Sequence, residues 1–396
     1  MLGVTFTNTA ISHAGYTTPA KNVIFLYMAG GMSHMDTFDP KPGHENQGSC
    51  PTINTNVDGI QISGYLPRLA TIADKYCLIR SMSSNTGVHE QGNYVMHTGY
   101  MKNQSIAHPS IGSWITNFNG RTSRNIPNSI IIGSPNQNTG AGFLDPKHAP
   151  LVINNYKVGI PNSVLKSDKK ELMSKVDILK QLDSSLLRQP NNKFNEYTSA
   201  YDDAIKVFGC KELGAFDLDE EDEYVRTSYG DNNFGQGCLL ARRLVENGAR
   251  FVEVVSGGWD THVNNFEKVE EKCVELDNAL ASLIIDLDDR GILDETLVVV
   301  STEFGRTPRI NQNDGRDHYP KAFSMLMAGG GIKGGTVVGK TNEGATEVIE
   351  REVSPQDIFA TIGASLNLPI HEEVYSPNKR SFTFANDGII LSDIFA

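Results

Sequence analysis

Four short stretches gather the residue types that hold cations or move protons. Ser33, His34, Asp36 and Asp39 follow a Gly30-Gly31 pair, and Asp260 and His262 stand two apart in a Gly- and Trp-containing loop. Glu303 and Arg306 follow Thr302, and Arg316, Asp317 and His318 are consecutive. Carboxylates and imidazoles without thiolates suit a divalent metal of the Zn, Mn, Mg, Fe or Ca kind rather than a soft-metal site. A pair of ions roughly 3.5–4 Å apart needs about six such ligands. Asp36, His34, Asp260, His262, Glu303, Asp317 and His318 can supply them, for one ion or two. Arg306 and Arg316 stand beside these residues as clamps for an anion, although arginines at such places are also common as surface ion pairs. Asp260 and His262 would equally start the helix that follows them. Ser33 lacks the flanking spacing of a phosphate-binding loop or of a nucleophile elbow. His89-Glu90 begins like a zinc-protease helix, but the second imidazole of that motif would fall at Asn93, which excludes it. His97, His108, His148 and His371 are read as structural.

These residues need elements to position them. The apolar runs 23–29, 251–255 and 297–300 each lead into one of the polar loops, as strands of a parallel sheet buried on both faces do. Phe266, Val269, Cys273, Leu276, Leu280, Leu283 and Leu287 recur at three- and four-residue steps and predict a long crossover helix between the second and third runs. In such sheets, sites form beyond the carboxyl ends of the strands, so the loops are expected on one edge. Further strands are expected at 77–80, 129–132 and 323–327, and shorter helices at 66–76 and from His89 to Gly99. Residues 168–248 carry helical periodicity and are expected to form a cap outside the sheet, with the acidic run Asp217 to Glu223 exposed.

Composition narrows the class. The chain has 396 residues, enough for one large α/β domain without staples, and 47 acidic against 35 basic residues leave a net charge of -12. Nucleic acid and anionic membrane surfaces are therefore disfavoured as partners, because both draw on basic clusters. The longest apolar stretch, 23–29, is far short of a membrane span. Cys50, Cys77, Cys210, Cys238 and Cys273 show no C-x-x-C spacing and read as core thiols. Residues 1–20 contain no Lys, Arg, Asp or Glu and read as a leader or disordered start, either of an export signal without its basic beginning or of a cytosolic chain. Residues 21–396 form a single domain in this reading.

The segments VIFLYMAGGMSHMDTFDPKP (23–42), GWDTH (258–262), TEFGRTP (302–308) and GRDHYP (315–320), with the glycines at 329–334, carry a resemblance. From about Lys21 onward the chain resembles the bacterial, sulfatase-like domain-of-unknown-function 1501 family. That family is similar in turn to the alkaline phosphatase and sulfatase superfamily. The resemblance implies a three-layer α/β fold: a mostly parallel central sheet between helices, a helical insertion, and a one- or two-metal site at the strand ends. It also implies an exported protein acting on small anionic esters or on sulfated or phosphorylated glycans. Carried over by position, Glu303 falls where an Asp ligand stands, Phe304 replaces its His neighbour, and Asp260 and His262 resemble a phosphomutase-type metal loop. His89 falls where the superfamily has its Ser, Thr or formylglycine-forming Cys. The acidic ligand of the first strand falls at Gly30 or Gly31, so Asp36 or His34 would have to substitute.

Without a C/S-x-P-x-R context a formylglycine sulfatase is disfavoured. A covalent intermediate would use His89, Ser33 or Thr86; otherwise metal-activated water, with its pKa lowered toward ~7, attacks. The expected function is a metal-dependent hydrolase of phosphate or sulfate esters, in which Asp260, His262, Glu303 and His318 converge, His89 lies nearby, and Arg306 or Arg316 faces the pocket. The competing readings are a non-catalytic binding or assembly protein and a phosphomutase-like transferase. The sequence leaves the oligomeric state open.

Overall fold

Strand β1 (Asn22–Met28) is apolar on both sides of its pleat: Ile24, Leu26 and Met28 enter one core, and Val23, Phe25 and Tyr27 the other. Only a strand covered on both faces has use for that pattern. The computed structural model describes residues 19–396 except 121, 124, 135–138 and 159–210, of which only 174 and 178 are described. The main sheet adds β2 (Tyr76–Met82), β3 (Ser129–Ile132), β4 (Leu151–Ile153), β5 (Phe251–Ser256), β6 (Thr296–Ser301), β7 (Phe323–Ala328) and β8 (Thr336–Val338), in the order β8-β2-β7-β6-β1-β5-β3-β4. β1 lies parallel between β5 and β6, and β7 alone runs antiparallel to both of its neighbours.

Helices cover both faces. On one side α3 (Asn233–Glu246) and α4 (Asn265–Asp289) pack their apolar stripes on the sheet; on the other lie α1 (His89–Thr98), α2 (Ile111–Asn119) and α5 (Pro355–Ser365). The protein is thus a three-layer α/β fold. The stripe expected for α4 is buried from Val269 to Leu287, with Phe266 half-buried. Each fully buried Leu on it is worth about 1.5–3 kcal/mol. α5 starts on a capping box in which Ser354 and Asp357 exchange side-chain-to-backbone bonds, followed by Pro355 at the first turn.

This topology brings the polar loops to one edge. The carboxyl ends of β1, β5 and β6 coincide because the strands are parallel and in register. β7 reverses direction between β6 and β2, so the end of β2, the start of α1 just beyond it, and the segment leading into β7 all come to that same edge. Gly30 makes the approach close. Its φ is +125°, and a Cβ there would lie 2.4 Å from the backbone nitrogen of Asp260.

The expected cap needs correction. Most of its first part, and residues 1–18 of the leader expected over 1–20, lie outside the described residues. Its last helix, α3, lies outside the sheet as expected, but as part of the layer that covers the sheet rather than as a separate cap. Phe234, Cys238, Leu239, Leu240 and Leu244 are all buried against the sheet and α4, because this helix is apolar over more than one stripe. Arg242 is buried with them, its charge balanced by Glu221 at 2.8 Å, Glu246 at 2.7 Å and Asp286 at 3.0 Å. Most of the acidic run is exposed as expected, but Leu218 is buried and Glu221 is drawn in by this guanidinium.

Beneath α1, His97 and Glu253 form a buried pair, with Nε2 3.1 Å from Oε1 and Nδ1 2.7 Å from the Asn93 carbonyl. Burial pulls the imidazole pKa down, but the Glu253 charge and hydrogen bond outweigh it and leave it raised. A raised folded-state pKa gives stability that is complete below the unfolded value of about 6.5 and is lost as pH rises through the folded value. We therefore expect His97→Gln to cost about 3–5 kcal/mol in urea denaturation near pH 6, as for a broken buried pair. That cost should shrink as the pH is raised into the alkaline range; a cost that is constant with pH would show His97 to be neutral in the folded protein.

Candidate functional site

At the shared edge, each of three imidazoles is fixed through its Nδ1. His89, the first residue of α1, has Nδ1 2.8 Å from Glu303 Oε1; His262, in the loop after β5, has Nδ1 2.7 Å from Asp317 Oδ1. His318 pairs in a short ladder with Arg306 and donates from Nδ1 to the Gly87 carbonyl at 2.8 Å. The Nε2 atoms turn inward on Asp260. His262 Nε2 is 3.1 Å and His318 Nε2 3.3 Å from Asp260 Oδ1, and His89 Nε2 is 3.5 Å from Oδ2. The His262 and His318 Nε2 atoms are 3.0 Å apart. His89, Asp260 and His318 each offer one ligand atom, and these three atoms all lie within 4.8 Å of one another. The side chains of His89, Asp260, His262 and His318 are between 27% and 46% exposed, so the cluster opens to solvent.

The floor is buried and charged. Arg306 is fully buried; it donates from Nε to the Gly31 carbonyl at 2.8 Å, from Nη1 to the Arg316 carbonyl at 3.2 Å, and from Nη2 to the Gly30 carbonyl and Asp260 Oδ1. Partial burial raises the Asp260 pKa, but the Arg306 hydrogen bond and charge, with His89 and His262, outweigh it and hold the carboxyl below its usual range. The hydrogen bond to Glu303 raises His89, and burial followed by the Arg306 charge lowers His318. Asp317 is lowered, chiefly by its bond to His262. Phe304 closes the base, with its ring centroid 5.0 Å from that of His89 and 4.7 Å from that of His318.

Of the residues singled out in the sequence, His89, Asp260, His262, Glu303, Arg306, Asp317 and His318 meet here. Glu303, expected among the ligands, instead turns Oε1 to His89 and to the Gly30 amide at 2.8 Å, with Oε2 3.3 Å from the Tyr27 hydroxyl. Asp36, His34, Ser33 and Arg316 do not join the cluster. Asp36 accepts from Arg316 Nε at 2.8 Å, Arg316 Nη2 at 3.0 Å and Asn265 at 2.9 Å, all in the interior, so this carboxylate and guanidinium neutralise each other. Neither is therefore free for a metal or an anion. His34 is fully buried with Nε2 on the Ala345 carbonyl at 3.0 Å, and Ser33 accepts from the Asp36 amide at 3.3 Å. Arg306 reaches the cluster, but its donors are committed to backbone carbonyls and Asp260, so it positions a carboxylate rather than clamping a ligand. Sequence reasoning missed Tyr27, Asn93 and Gly87. Asn93 stands one turn from both His89 and His97, a spacing that marks a single helix face, and it accepts from the Tyr27 hydroxyl.

Residues 20–395 match the sequence model of a family described as "Protein of unknown function (DUF1501)". The chain belongs to that family. A comparison with curated proteins finds no relative. Among solved structures, the PsFucS1 sulfatase of a Pseudoalteromonas species is similar at 13% identity and TM-score 0.47, over 95% of this chain and 72% of that one. The phosphonate monoester hydrolase of Silicibacter pomeroyi is similar at 12% identity and TM-score 0.43, over 95% and 76%. The alkaline phosphatase of the Antarctic bacterium TAB5 is similar at 12% and 0.36, over 88% and 99%. This chain has a three-layer α/β fold whose strand-end edge carries the cluster described above. Among the described residues no helix is long and apolar enough to cross a membrane.

The Asp36–Arg316 pair ties the loop after β1 to the segment that carries His318. Arg316→Met should leave a buried, unpaired carboxylate and cost about 3–5 kcal/mol in chemical denaturation. The double variant Asp36→Leu/Arg316→Met should recover most of that loss; no recovery would mean that the two groups are not each other's main partners.

Proposed function

We propose that this protein is a metal-dependent hydrolase of anionic esters, phosphate or sulfate, small or carried on glycans. The observation that carries the reading is the convergence of His89, Asp260 and His318 on one point at the solvent-open edge of the sheet, with His262 beside them. The donor set fits a divalent ion: a carboxylate held ionised by Arg306, and imidazoles whose Nε2 atoms turn inward toward it. The likeness to sulfatases and phosphatases does not bear on substrate. Export forms part of the reading through family resemblance alone.

In this reading His89, Asp260 and His318 would hold the ion, which when bound supplies Lewis acidity and ionises water near neutral pH. Arg306 keeps Asp260 charged and aimed. Glu303 and Asp317 fix the tautomers of His89 and His262, and Phe304 keeps water from the floor. The exposed Val88 and Val263, next in sequence to His89 and His262, put apolar surface at the rim beside the anionic group of an ester.

The second reading, a binding protein with a metal but no catalysis, draws support from one observation. Arg306 and Arg316 both spend their donors on protein groups, leaving neither as a clamp for transition-state charge. Turnover of 4-nitrophenyl phosphate and 4-nitrophenyl sulfate separates the two. Chelation, or Asp260→Ala, should remove bound metal and lower hydrolysis by roughly 10³-fold, because Lewis-acid stabilisation is worth several kcal/mol. Metal bound without turnover of either ester, or of a panel of sulfated glycans, would reject the hydrolase.

A further inference from the structure

We propose that the buried His97–Glu253 pair is a proton-operated latch that holds α1, and with it His89, in register with the strands. His97 and Glu253 are on this account positioning residues. The latch works whether or not the edge takes a metal.

α1 crosses three neighbouring strands. His89, Asn93 and His97 are four residues apart, so they line one face of the helix at steps of about 6 Å along its axis. Strands in a sheet are spaced about 4.8 Å apart, which nearly matches that step. The partners of the three side chains fall one to a strand. His89 meets Glu303 just past the end of β6, Asn93 accepts from the Tyr27 hydroxyl in β1, and His97 meets Glu253 in β5, in the order in which those strands lie. Each residue of slip along a helix turns its side chains by about 100°, so a slip of one would break all three contacts.

The last of these contacts depends on a proton. The Asn93 carbonyl can only accept, so His97 donates to it from Nδ1 at 2.7 Å. Nε2 then faces Glu253 Oε1 at 3.1 Å, with 1% and 2% of the two side chains exposed. A bond there needs a second proton, on the nitrogen or on the carboxyl; without it a lone pair meets an anion in the interior. The charged and titratable groups that face His97 are Glu253 from β5, Tyr27 from β1 with its ring 4.4 Å away, and Glu303 from the end of β6. Both carboxylates favour the extra proton, and burial keeps the Tyr27 phenol neutral. α2, which packs in the same core, carries no titratable side chain. The latch is therefore closed at about pH 6 and opens as the pH rises into the alkaline range. Opening it removes the polar attachment of α1 to β5 and leaves that face of the helix held by Asn93 and His89.

Glu253→Gln separates the proton from the shape. Its amide N–H can donate to a neutral Nε2, so the contact persists with nothing to titrate. The test follows backbone hydrogen exchange of the full chain by mass spectrometry at about pH 6 and about pH 10, corrected for intrinsic rates, over 89–98 and, as control, over 276–287 in α4. In the wild-type chain, protection of 89–98 should fall by about 10²–10³-fold at the higher pH, the loss expected for a broken buried pair, while α4 keeps its own. In Glu253→Gln it should be the same at both. His97→Gln leaves Glu253 without its counter-charge, so its 89–98 should be as loose at about pH 6 as the wild type's is at about pH 10. Wild-type protection of 89–98 that changes no more than that of α4 would overturn the latch, as would a fall that persists in folded Glu253→Gln. If that variant does not fold, His97→Gln decides: 89–98 as protected as in the wild type at the lower pH would overturn it. No outcome turns on metal content or ester turnover, so the proposed function stands or falls separately.

Discussion

The Glu303 carboxylate sits at the end of β6 with 1% of its side chain exposed, where an ionised group is tolerated only if hydrogen bonds replace its lost water. The groups that replace it come from three other places: the Gly30 amide at the end of β1, the Tyr27 hydroxyl within β1, and the His89 imidazole at the start of α1. Satisfying that one carboxylate fixes where α1 begins and which way its first side chain points. α1 rests directly on it, since a Cβ at Gly92 would lie 3.0 Å from the Glu303 Cβ. From there the restraints pass outward, as His89 faces Asp260 and Asp260 is held by Arg306.

Behind this carboxylate the interior is polar for an unusual depth. Tyr27 bonds to Asn93 on α1, the Asn93 carbonyl accepts from His97, and His97 reaches Glu253 on β5. The rings of Tyr27 and His97 are 4.4 Å apart between centroids. A helix with only a modest apolar stripe is thereby seated on the sheet by a ladder of bonds that accept one register. Polar networks of this kind favour a single arrangement when every member is satisfied.

Much of this was open to reading in the chain. Runs such as 23–29 and 297–300 are too apolar for anything but strands covered on both sides, and the loops that follow them announce their chemistry by residue type. Asp260, His262 and His318 were legible on those grounds. Pairing was not. Nothing local tells which of two neighbouring carboxylates, Asp36 or Asp260, meets Arg316 and which meets Arg306, and that choice separates an interior ion pair from an exposed donor. Glu303 is legible as a residue of that edge, but not its partners, which lie at residues 27, 30 and 89. α3 is hard to read for a different reason: its charged residues suggest a surface helix, yet Arg242 is neutralised inside by carboxylates from its own last turn, from α4 and from a loop.

The inward nitrogens and the Asp260 carboxylate come from segments far apart in the chain, the start of α1, the loop after β5 and the approach to β7. The described cysteines, Cys50, Cys77, Cys238 and Cys273, are all buried free thiols, so no disulfide joins these segments through them. An ion shared among His89, Asp260 and His318 would therefore serve the folded chain as its cross-link, closing long loops that cost little more entropy than short ones. At a free concentration a hundredfold above its dissociation constant it would add about 2.7 kcal/mol to the stability of the whole domain. The durability of the sheet would then track the metal supply of its surroundings, although no residue of its strands touches the ion.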